Sequence, residues 1–170
     1  MSQRVKIWKP SHGVGWIKYE MSIAGDDIQF TDNFWLHEFV VSKDHPELAE
    51  EIIVEPEHIA RLDLMSRILL QPARDYVVST ISILSGIRSW ALNEAVDGSE
   101  DSDHLCGLAA DITTGYPAST ELIFDYLRKR KLDLIGQLIL YRNDKGQAVF
   151  VHVSFPSRRH HGEVLYADTG

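Results

Sequence analysis

An imidazole and a carboxylate lie seven residues apart at His104 and Asp111, with small residues between them. A second imidazole, His152, lies in an apolar, β-branched stretch that is typical of a strand. Zinc takes neutral imidazole and carboxylate ligands, and a catalytic zinc site has three protein ligands and one position open to water. These three residues are therefore candidate zinc ligands. The spacing alone also arises by chance, and each residue type has ordinary structural uses.

The remaining histidines favour other interpretations. Four lie among polar residues or in predicted loops, where solvent exposure or helix capping is typical: His12, His37, His45 and His58. His160 and His161 adjoin Arg158 and Arg159 near the C-terminus and suggest a charged patch in a tail.

Four ordered motifs in this part of the chain resemble those of peptidase family M15, the zinc D-Ala-D-Ala carboxypeptidases and peptidoglycan endopeptidases. They are SGIRS at 85–89, LN at 92–93, SDHLCGLAAD at 102–111 and HVSF at 152–155. FWLHEF at 34–39 also resembles the helical opening of the branch common among bacteriophages. The resemblance covers about residues 34 to 155, and four motifs in the family's order are far rarer by chance than any one of them.

This resemblance implies roles for individual residues. His104, Asp111 and His152 match the family's zinc ligands, so the expected cofactor is Zn2+. Arg88 matches an arginine that contacts the scissile carbonyl and stabilises the oxyanion. Ser102 matches a serine close to the substrate. In such enzymes zinc activates water and polarises the carbonyl, while a carboxylate moves a proton from the water to the leaving amine.

The catalytic carboxylate is the point at which this sequence departs from the family. Many members have Glu or Asp three residues before the last ligand, where this chain has Val149. Phage-type relatives often carry Glu four residues after a glutamine that matches Gln137, and that position is Tyr141. A phenol donates a hydrogen bond to an oxyanion but is a poor base near neutral pH, because its ordinary pKa is about 10.

Tyr141 is therefore a candidate catalytic residue beside Arg88, and the base is left open. Acidic residues in predicted loops could replace the missing carboxylate: Glu100, Asp101, Asp103 and Asp144. The candidate substrate-binding residues are Ser102, Gln137 and Trp90, the last because it follows the SGIRS motif directly.

Ordinary structural roles compete with several of these assignments. Arg88 could simply pair with a carboxylate in the fold, and Ser102 suits a loop or a helix cap. Cys106 favours a small buried apolar residue over a nucleophile or a fourth ligand. The tryptophans favour core or contact positions over sugar-stacking platforms.

A predicted hairpin places Tyr141 on the same face as His152. Strands over 136–142 and 147–155 flank the turn sequence NDKG at 143–146. If Arg142 faces Gln147, the pairing continues from Tyr141 with Ala148 back to Gln137 with His152. One face then holds Gln137, Ile139, Tyr141, Ala148, Phe150 and His152. A slip of one residue would break this inference.

The remaining elements follow from periodicity and turn signals. Short strands are predicted at 5–8, 15–21 and 28–30, short helices at 34–40 and 46–53, and a longer helix from Pro56 that ends or kinks at Pro72. Further along, the pattern predicts a strand at 76–84, a helix at 90–96, a strand at 105–113 and a helix at 117–131.

The expected fold class is α+β, with a small, mainly antiparallel sheet that carries the zinc site and helices packed on it. Residues 1–33 are expected to form a strand-containing N-terminal extension, residues 34–157 the zinc carboxypeptidase-like domain, and residues 158–170 a C-terminal tail. The 170 residues are 44% hydrophobic and 25% charged, which is typical of one globular domain.

Composition also excludes several partners and compartment signals. The net charge of -8 argues against nucleic acid and against a polybasic membrane patch. No apolar run approaches the ~20 residues of a membrane span, and the first residues lack a secretory signal. We therefore expect cytoplasmic synthesis, with action at the cell wall after phage-mediated release or as part of a virion. The single cysteine excludes an internal disulfide.

Two functions follow as hypotheses. The first is a zinc-dependent peptidase that hydrolyses peptide bonds of peptidoglycan stem peptides and is phage- or prophage-related. The second is a homologue that has lost catalysis and keeps zinc as a structural or assembly protein, such as a virion component. In that second case residues 1–33 could mediate a homo-oligomer or virion assembly, and zinc would still stabilise the fold.

Overall fold

The computed structural model describes the backbone strands at residues 4–11 and 15–22 and all of residues 27–169. In chain order the strands are β1 (Arg4–Ser11), β2 (Gly15–Ser22), β3 (Gln29–Thr31), β4 (Phe34–Trp35), β5 (Ile53–Val54), β6 (Ser82–Ser85), β7 (Ala109–Thr113), β8 (Gln137–Arg142), β9 (Ala148–Ser154) and β10 (Glu163–Asp168). The α-helices are α1 (Pro46–Glu50), α2 (Pro56–Met65), α3 (Gln71–Val77), α4 (Trp90–Ala95) and α5 (Pro117–Arg130).

A five-stranded sheet of order β10-β8-β9-β7-β6 forms the centre of the molecule. Its pairings are antiparallel except that of β10 with β8, which is parallel. Helices pack against this sheet, so the predicted α+β class is confirmed. The first two strands form a separate small sheet, in which β1 pairs antiparallel with β2 and parallel with β5. This small sheet corresponds to the expected strand-containing extension.

Alternation along β8 and β9 gives the sheet an apolar face and a polar face. Four side chains are fully buried on the apolar face: Leu138, Leu140, Val151 and Val153. The helix α5 packs against these two strands and buries Ile123, Phe124 and Leu127. It begins at Pro117, whose fixed φ suits the first helical position, and ends at the basic residues 128–130, close to the predicted bounds. The polar face is left to carry the functional side chains.

The long helix was predicted to end or to kink at Pro72, and of these two alternatives the end is wrong, because helical backbone continues to Val77. A π-helical turn at Ser66–Leu70 joins α2 to α3, and the Gln71 N–H donates to the carbonyl of Ser66, five residues back. Proline cannot donate, and its ring clashes with the carbonyl four residues earlier in an α-helix. The wider turn immediately before Pro72 is consistent with the chain accommodating this proline without ending the helix.

The predicted strand over 76–84 is wrong in its first half. Tyr76 and Val77 belong to α3, Val78 has a left-handed φ of 51°, and the strand β6 begins only at Ser82. Tyr76 stacks on Tyr126 of α5 with ring centroids 4.7 Å apart. The β-branched and aromatic residues of this segment favour a strand. Tyr76 is nevertheless helical, and in that conformation it makes the contact with Tyr126.

The two short helices predicted before Pro56 are only partly correct. The first is the strand β4 followed by a 3-10 helix at Leu36–Phe39. The second is α1, which ends at Glu50, and the following residues enter β5. The predicted helix at 90–96 is confirmed as α4. The strand predicted at 105–113 is shorter and begins at Ala109.

Residues 158–170 were expected to be a tail, but they include the strand β10. It pairs with β8 over its whole length, from Glu163 with Gln137 to Asp168 with Arg142. The strand is short and half exposed, and it has acidic residues at both ends, so its sequence lacks the apolar alternation of a core strand. Among the described residues, no helix has the length and apolar content needed to span a bilayer.

Candidate active site

The three predicted ligands converge on the polar face of the sheet. His152 Nδ1 lies 2.8 Å from Asp111 Oδ1, and His104 Nε2 lies 3.2 Å from His152 Nδ1 and 3.3 Å from Asp111 Oδ1. These atoms form the group of described side chains that could hold a metal ion. Residues separated by up to 48 positions in the chain thus present three donor atoms to one point.

Strand register positions two of these side chains. Asp111 on β7 lies directly opposite His152 on β9, so both project from the same face of the antiparallel pair. His104 comes from a 3-10 helix at Asp103–Cys106. Ser102 caps this helix, since its Oγ accepts from the His104 N–H at 3.4 Å.

The turn after His104 ends at Gly107, which has a left-handed φ of 63°. The Gly107 N–H donates to the carbonyl of His104 at 3.2 Å, which closes the turn. A side chain would be strained at this φ. Glycine therefore suits the point where the chain leaves the histidine and enters β7.

A backbone carbonyl orients the imidazole of His104. His104 Nδ1 lies 2.6 Å from the oxygen of Gly86, so an N–H at Nδ1 leaves the lone pair of Nε2 directed at the metal position. Gly86 itself packs against Phe39, where an added Cβ would lie 2.5 Å from the Phe39 oxygen. The Ile87 N–H donates to that same oxygen at 2.8 Å, which fixes the segment.

Arg88 holds the second oxygen of Asp111. Its Nη2 donates to Asp111 Oδ2 at 2.8 Å, and its Nε donates to Ser85 Oγ at 2.9 Å. The backbone N–H of Arg88 also donates to the carbonyl of His104 at 3.1 Å. Arg88 was also expected, as an alternative, to pair with a carboxylate of the fold. It does so, and that carboxylate belongs to the predicted metal ligand Asp111.

The electrostatics of the group suit a divalent cation. Burial by itself would raise the pKa of Asp111, but His104 and His152, by charge and by hydrogen bonds, hold that pKa well below its ordinary value. Burial lowers the pKa of His104 and favours the neutral imidazole. An ionised carboxylate and a neutral imidazole are the ligand forms that zinc requires.

The spacing of the donor atoms also fits zinc. Tetrahedral bonds of roughly 2.0–2.1 Å place neighbouring ligand atoms about 3.3 Å apart. The observed separations of 2.8, 3.2 and 3.3 Å are close to that value. Two imidazoles and one carboxylate leave the fourth position open, as in catalytic zinc sites.

The group lies in a cleft of about 580 Å³. The lining residues are Arg88, Val96, Asp97, Gly98, Ser99, Asp101, Ser102, Asp103, His104, Asp111, Gln137, Ile139, Tyr141, Phe150, His152, Arg159 and His160. Of the sequence-predicted site residues, this cleft brings together the three ligands with Arg88, Tyr141, Ser102 and Gln137. Trp90 is the exception.

The predicted face of the hairpin is largely correct, although its register is wrong by two residues. His152 pairs with Ile139 and Phe150 pairs with Tyr141, because Gln147 belongs to the turn, where its carbonyl accepts from the Asn143 N–H. An even shift keeps each side chain on its face. The register is irregular between Tyr141 and Arg142, and Ala148, predicted on the cleft face, is buried outside the lining.

Tyr141 presents a protonated phenol to the cleft. Burial raises its pKa, and the negative charge of Asp111 raises it further. Its ring stacks on Phe150 with centroids 4.2 Å apart. Val149, the other position where the family often has an acid, is not among the lining residues, and its carbonyl accepts from Thr113 Oγ1 at 2.7 Å.

Trp90, the remaining substrate-binding candidate, is not among the residues that line the cleft. It begins α4, whose inward face buries Leu92 and Asn93, and its own side chain is 67% exposed. It lines a neighbouring pocket of about 510 Å³ with Asn93, Glu94, Asp97, Gly98 and Glu100. The two cavities share Asp97 and Gly98.

The structure separates the acidic residues that sequence analysis left open. Asp101 and Asp103 line the cleft, whereas Glu100 lines the neighbouring pocket and Asp144 lies in the hairpin turn. Asp97, which sequence analysis did not single out, also lines the cleft and has a left-handed φ of 51°. Its place in an Asp-Gly pair after a predicted helix was the available signal.

The C-terminal patch also reaches the cleft. Arg159 forms an ion pair with Asp101, and His160 Nδ1 lies 2.9 Å from Glu163 Oε2. Gln137 Nε2 donates to the same Glu163 oxygen at 3.1 Å. Sequence analysis placed Arg159 and His160 in a tail because it did not predict β10, whose pairing returns the chain to the cleft.

Cys106 is exposed, so the prediction of a buried apolar residue is wrong. Its carbonyl accepts from Arg61 Nη1 at 2.6 Å, and its sulfur is not part of the metal-binding group. The 3-10 helix buries His104 and turns the cysteine outward.

Comparison with known proteins identifies one family. The family described as Peptidase M15 matches residues 40–154, which is well over half of the chain and includes the three candidate ligands. No curated protein matches the chain.

Proposed function

The chain belongs to the M15 peptidase family, and from this membership and the site we propose that it is a zinc-dependent peptidase acting on peptidoglycan stem peptides. The observation that carries the proposal is the convergence of His104, Asp111 and His152 in an open cleft. We include in the proposal a phage or prophage origin, with action at the cell wall after release or within a virion.

The zinc would be held by His104 Nε2, Asp111 Oδ1 and His152 Nδ1. When bound, it would lower the pKa of a water molecule and polarise the scissile carbonyl. Gly86 and Arg88 keep the ligands in place, since one accepts from His104 and the other donates to Asp111. Such outer-shell contacts fix the orientation and basicity of metal ligands.

Two side chains can stabilise the negative charge that develops on the carbonyl oxygen. Tyr141 has a phenol that stays protonated at neutral pH and can donate a hydrogen bond. Arg88 is a fixed guanidinium in the same cleft. Preorganised donors of this kind stabilise a transition state without reorganisation during the reaction.

The general base belongs to the acidic loop in this proposal. We propose this role for Asp97 or Asp103, which line the cleft, whereas Asp101 is paired with Arg159 in the absence of substrate. The base would accept a proton from the attacking water and return it to the leaving amine. A loop carboxylate would thereby replace the family acid that is Tyr141 or Val149 in this chain.

Hydrolysis of synthetic stem peptides tests this function. We expect the zinc-loaded protein to cleave such a peptide, and His104→Ala to lose both zinc and cleavage. Whichever of Asp97 and Asp103 is the base, its substitution by Asn should retain zinc and lower kcat by about 100-fold or more. The matched control is Asp144→Asn, which removes an acid outside the cleft and should leave kcat unchanged. Bound zinc without cleavage of any stem peptide would contradict the proposal.

One observation favours a second candidate, a zinc-binding homologue without catalysis. Neither position where related enzymes carry an acid has one here, because they are Tyr141 and Val149. In that role zinc would contribute folding free energy. Removal of zinc would then lower the free energy of unfolding although no peptide is cleaved. Solution mass would test assembly through the N-terminal residues 1–33.

A further inference from the structure

We propose that Arg159 binds a free carboxylate at the C-terminus of the substrate, so that the site acts as a carboxypeptidase. This inference rests on the proposed peptidase function. It concerns the direction in which a peptide occupies the cleft, which membership of the family leaves open. The argument follows from the charges that line the cleft and from the way Arg159 is presented to it.

Among the charged side chains that line the cleft, carboxylates outnumber arginines. Besides Asp111 the lining includes Asp97, Asp101 and Asp103, whereas its arginine and lysine side chains are limited to Arg88 and Arg159. Arg88 already donates to Ser85 and Asp111. Apart from the zinc position itself, Arg159 is therefore the lining group best placed to attract a substrate carboxylate.

In the absence of substrate, the Arg159 guanidinium is paired with a carboxylate of the protein itself. Arg159 pairs with Asp101, and the two side chains are 54% and 55% exposed. An exposed ion pair contributes little to stability, so a substrate carboxylate can replace Asp101 without disturbing the fold. Arginine binds carboxylates through paired N–H donors. The pair with Asp101 shows that a carboxylate within the cleft can contact the Arg159 guanidinium.

The segment that carries Arg159 is ordered by its own hydrogen bonds. Ser157 Oγ accepts from the N–H groups of Arg159 at 3.4 Å and His160 at 3.3 Å, and the Ser157 N–H donates to the His160 carbonyl at 3.1 Å. His160 is further held by Glu163 on β10. A preorganised backbone lowers the entropy lost when the side chain engages a ligand.

The Arg159–Asp101 ion pair and the metal-binding group line the same cleft and are linked through neighbouring residues. Asp101 is three residues before His104. Gln137, which bonds to Glu163 beside His160, is two residues from Ile139, the strand partner of His152. A peptide whose C-terminal carboxylate binds Arg159 would therefore lie in the cleft that holds the metal-binding group.

Two peptides that differ only at the C-terminus test the proposal, one with a free carboxylate and the other with a carboxamide. The wild-type protein should cleave the acid with a kcat/KM about 10-fold or more above that of the amide, as expected for hydrogen bonds to a charged group. Arg159→Ala should abolish this preference by slowing cleavage of the acid alone, and Arg159→Lys should restore part of it. The matched control is Arg158→Ala, an exposed arginine outside the lining, which should keep the full preference.

Equal cleavage of acid and amide by the wild-type protein would overturn this inference and leave the peptidase function intact. If the zinc-loaded protein cleaves neither peptide, the peptidase function fails, and titration calorimetry with the same two peptides decides the anchoring role. Tighter binding of the acid, lost in Arg159→Ala and kept in Arg158→Ala, would support Arg159 as the anchor. Equal affinities would refute it.

Discussion

The floor and the rim of the cleft are built in different ways. The floor consists of His104, Asp111, His152 and Arg88, and the first two side chains are almost completely buried. The rim consists of Asp97, Asp101, Asp103 and Arg159, and its ion pair is more than half exposed. This difference separates a rigid group that can hold a metal from a charged border that can exchange partners.

Backbone packing supports the floor, whereas side-chain charge dominates the rim. Asp111 and His152 are fixed by strand register, and His104 is oriented by a carbonyl that packs against Phe39. Asp101 and Arg159 come from two irregular segments that are distant in the chain, and they meet through their side-chain charges. Substitutions in the floor should therefore change metal binding and stability together, whereas substitutions in the rim should change catalysis or substrate preference without changing metal binding or stability.

The largest expected effect is that of Asp111→Asn. This change removes the ionised ligand and leaves the mostly buried guanidinium of Arg88 without its carboxylate. Zinc affinity should fall by more than the about 10–100-fold typical of outer-shell changes. The unfolding free energy, measured with urea in the presence of a chelator, should fall by about 3 kcal/mol. Normal zinc content in this variant would show that Asp111 is not a ligand and that zinc binds at another position.

A glycine substitution beneath the floor should have the next largest effect. In Gly86→Ala the new Cβ would meet the Phe39 oxygen at 2.5 Å, so the backbone that orients His104 must move. We expect a loss of about 3 kcal/mol in unfolding free energy, together with weaker zinc binding.

Gly146→Ala is the matched control for this substitution. Gly146 has a φ of 71° in the hairpin turn and no atom near its added Cβ. It should cost only about 1 kcal/mol, from strain at the left-handed φ, and leave zinc affinity unchanged. Equal losses of zinc affinity in the two variants would refute a specific role for Gly86.

Tyr141→Phe tests whether the phenol in the cleft contributes to catalysis. The ring can still stack on Phe150, but the phenolic donor is lost. We expect kcat to fall by about 100-fold or more with zinc content and unfolding free energy unchanged, because one oxyanion donor contributes on this scale. Steady-state kinetics would check this, and an unchanged kcat would remove Tyr141 from the catalytic group.

The smallest expected effect on stability is that of Asp101→Asn at the rim. The exposed pair with Arg159 contributes little, so the unfolding free energy should change by no more than about 0.5 kcal/mol. Zinc binding should also be unchanged. A loss comparable to that of Gly86→Ala would show that the rim supports the fold and would end the distinction between the two regions.

The floor could be predicted from sequence because its residues lie in ordered motifs and on strands of recognisable alternation. The face shared by Tyr141 and His152 survives a register error of two residues, since strand faces depend only on parity. Ala148 was misplaced because the pairing is irregular after Tyr141. An irregularity of this kind leaves no signature in hydrophobic alternation.

The rim could be predicted only in part: Asp101 and Asp103 were among the candidate acids, but the place of Arg159 depends on tertiary pairing. Arg159 reaches the cleft only because β10 pairs in parallel with β8, and parallel pairing of distant segments has no local signal. Trp90 was expected in the cleft from its proximity in sequence, but the helix α4 turns its side chain outward. Sequence distance is a weak guide where a helix begins, since successive residues point about 100° apart.

The most direct test of the account is a zinc titration of the metal-stripped protein, with bound zinc and stem-peptide cleavage measured in the same samples. We predict that cleavage rises in proportion to zinc bound at the His104, Asp111 and His152 group, and that His152→Ala shows neither. Cleavage that persists in a chelator, or zinc bound at this group without any cleavage, would contradict the central claim.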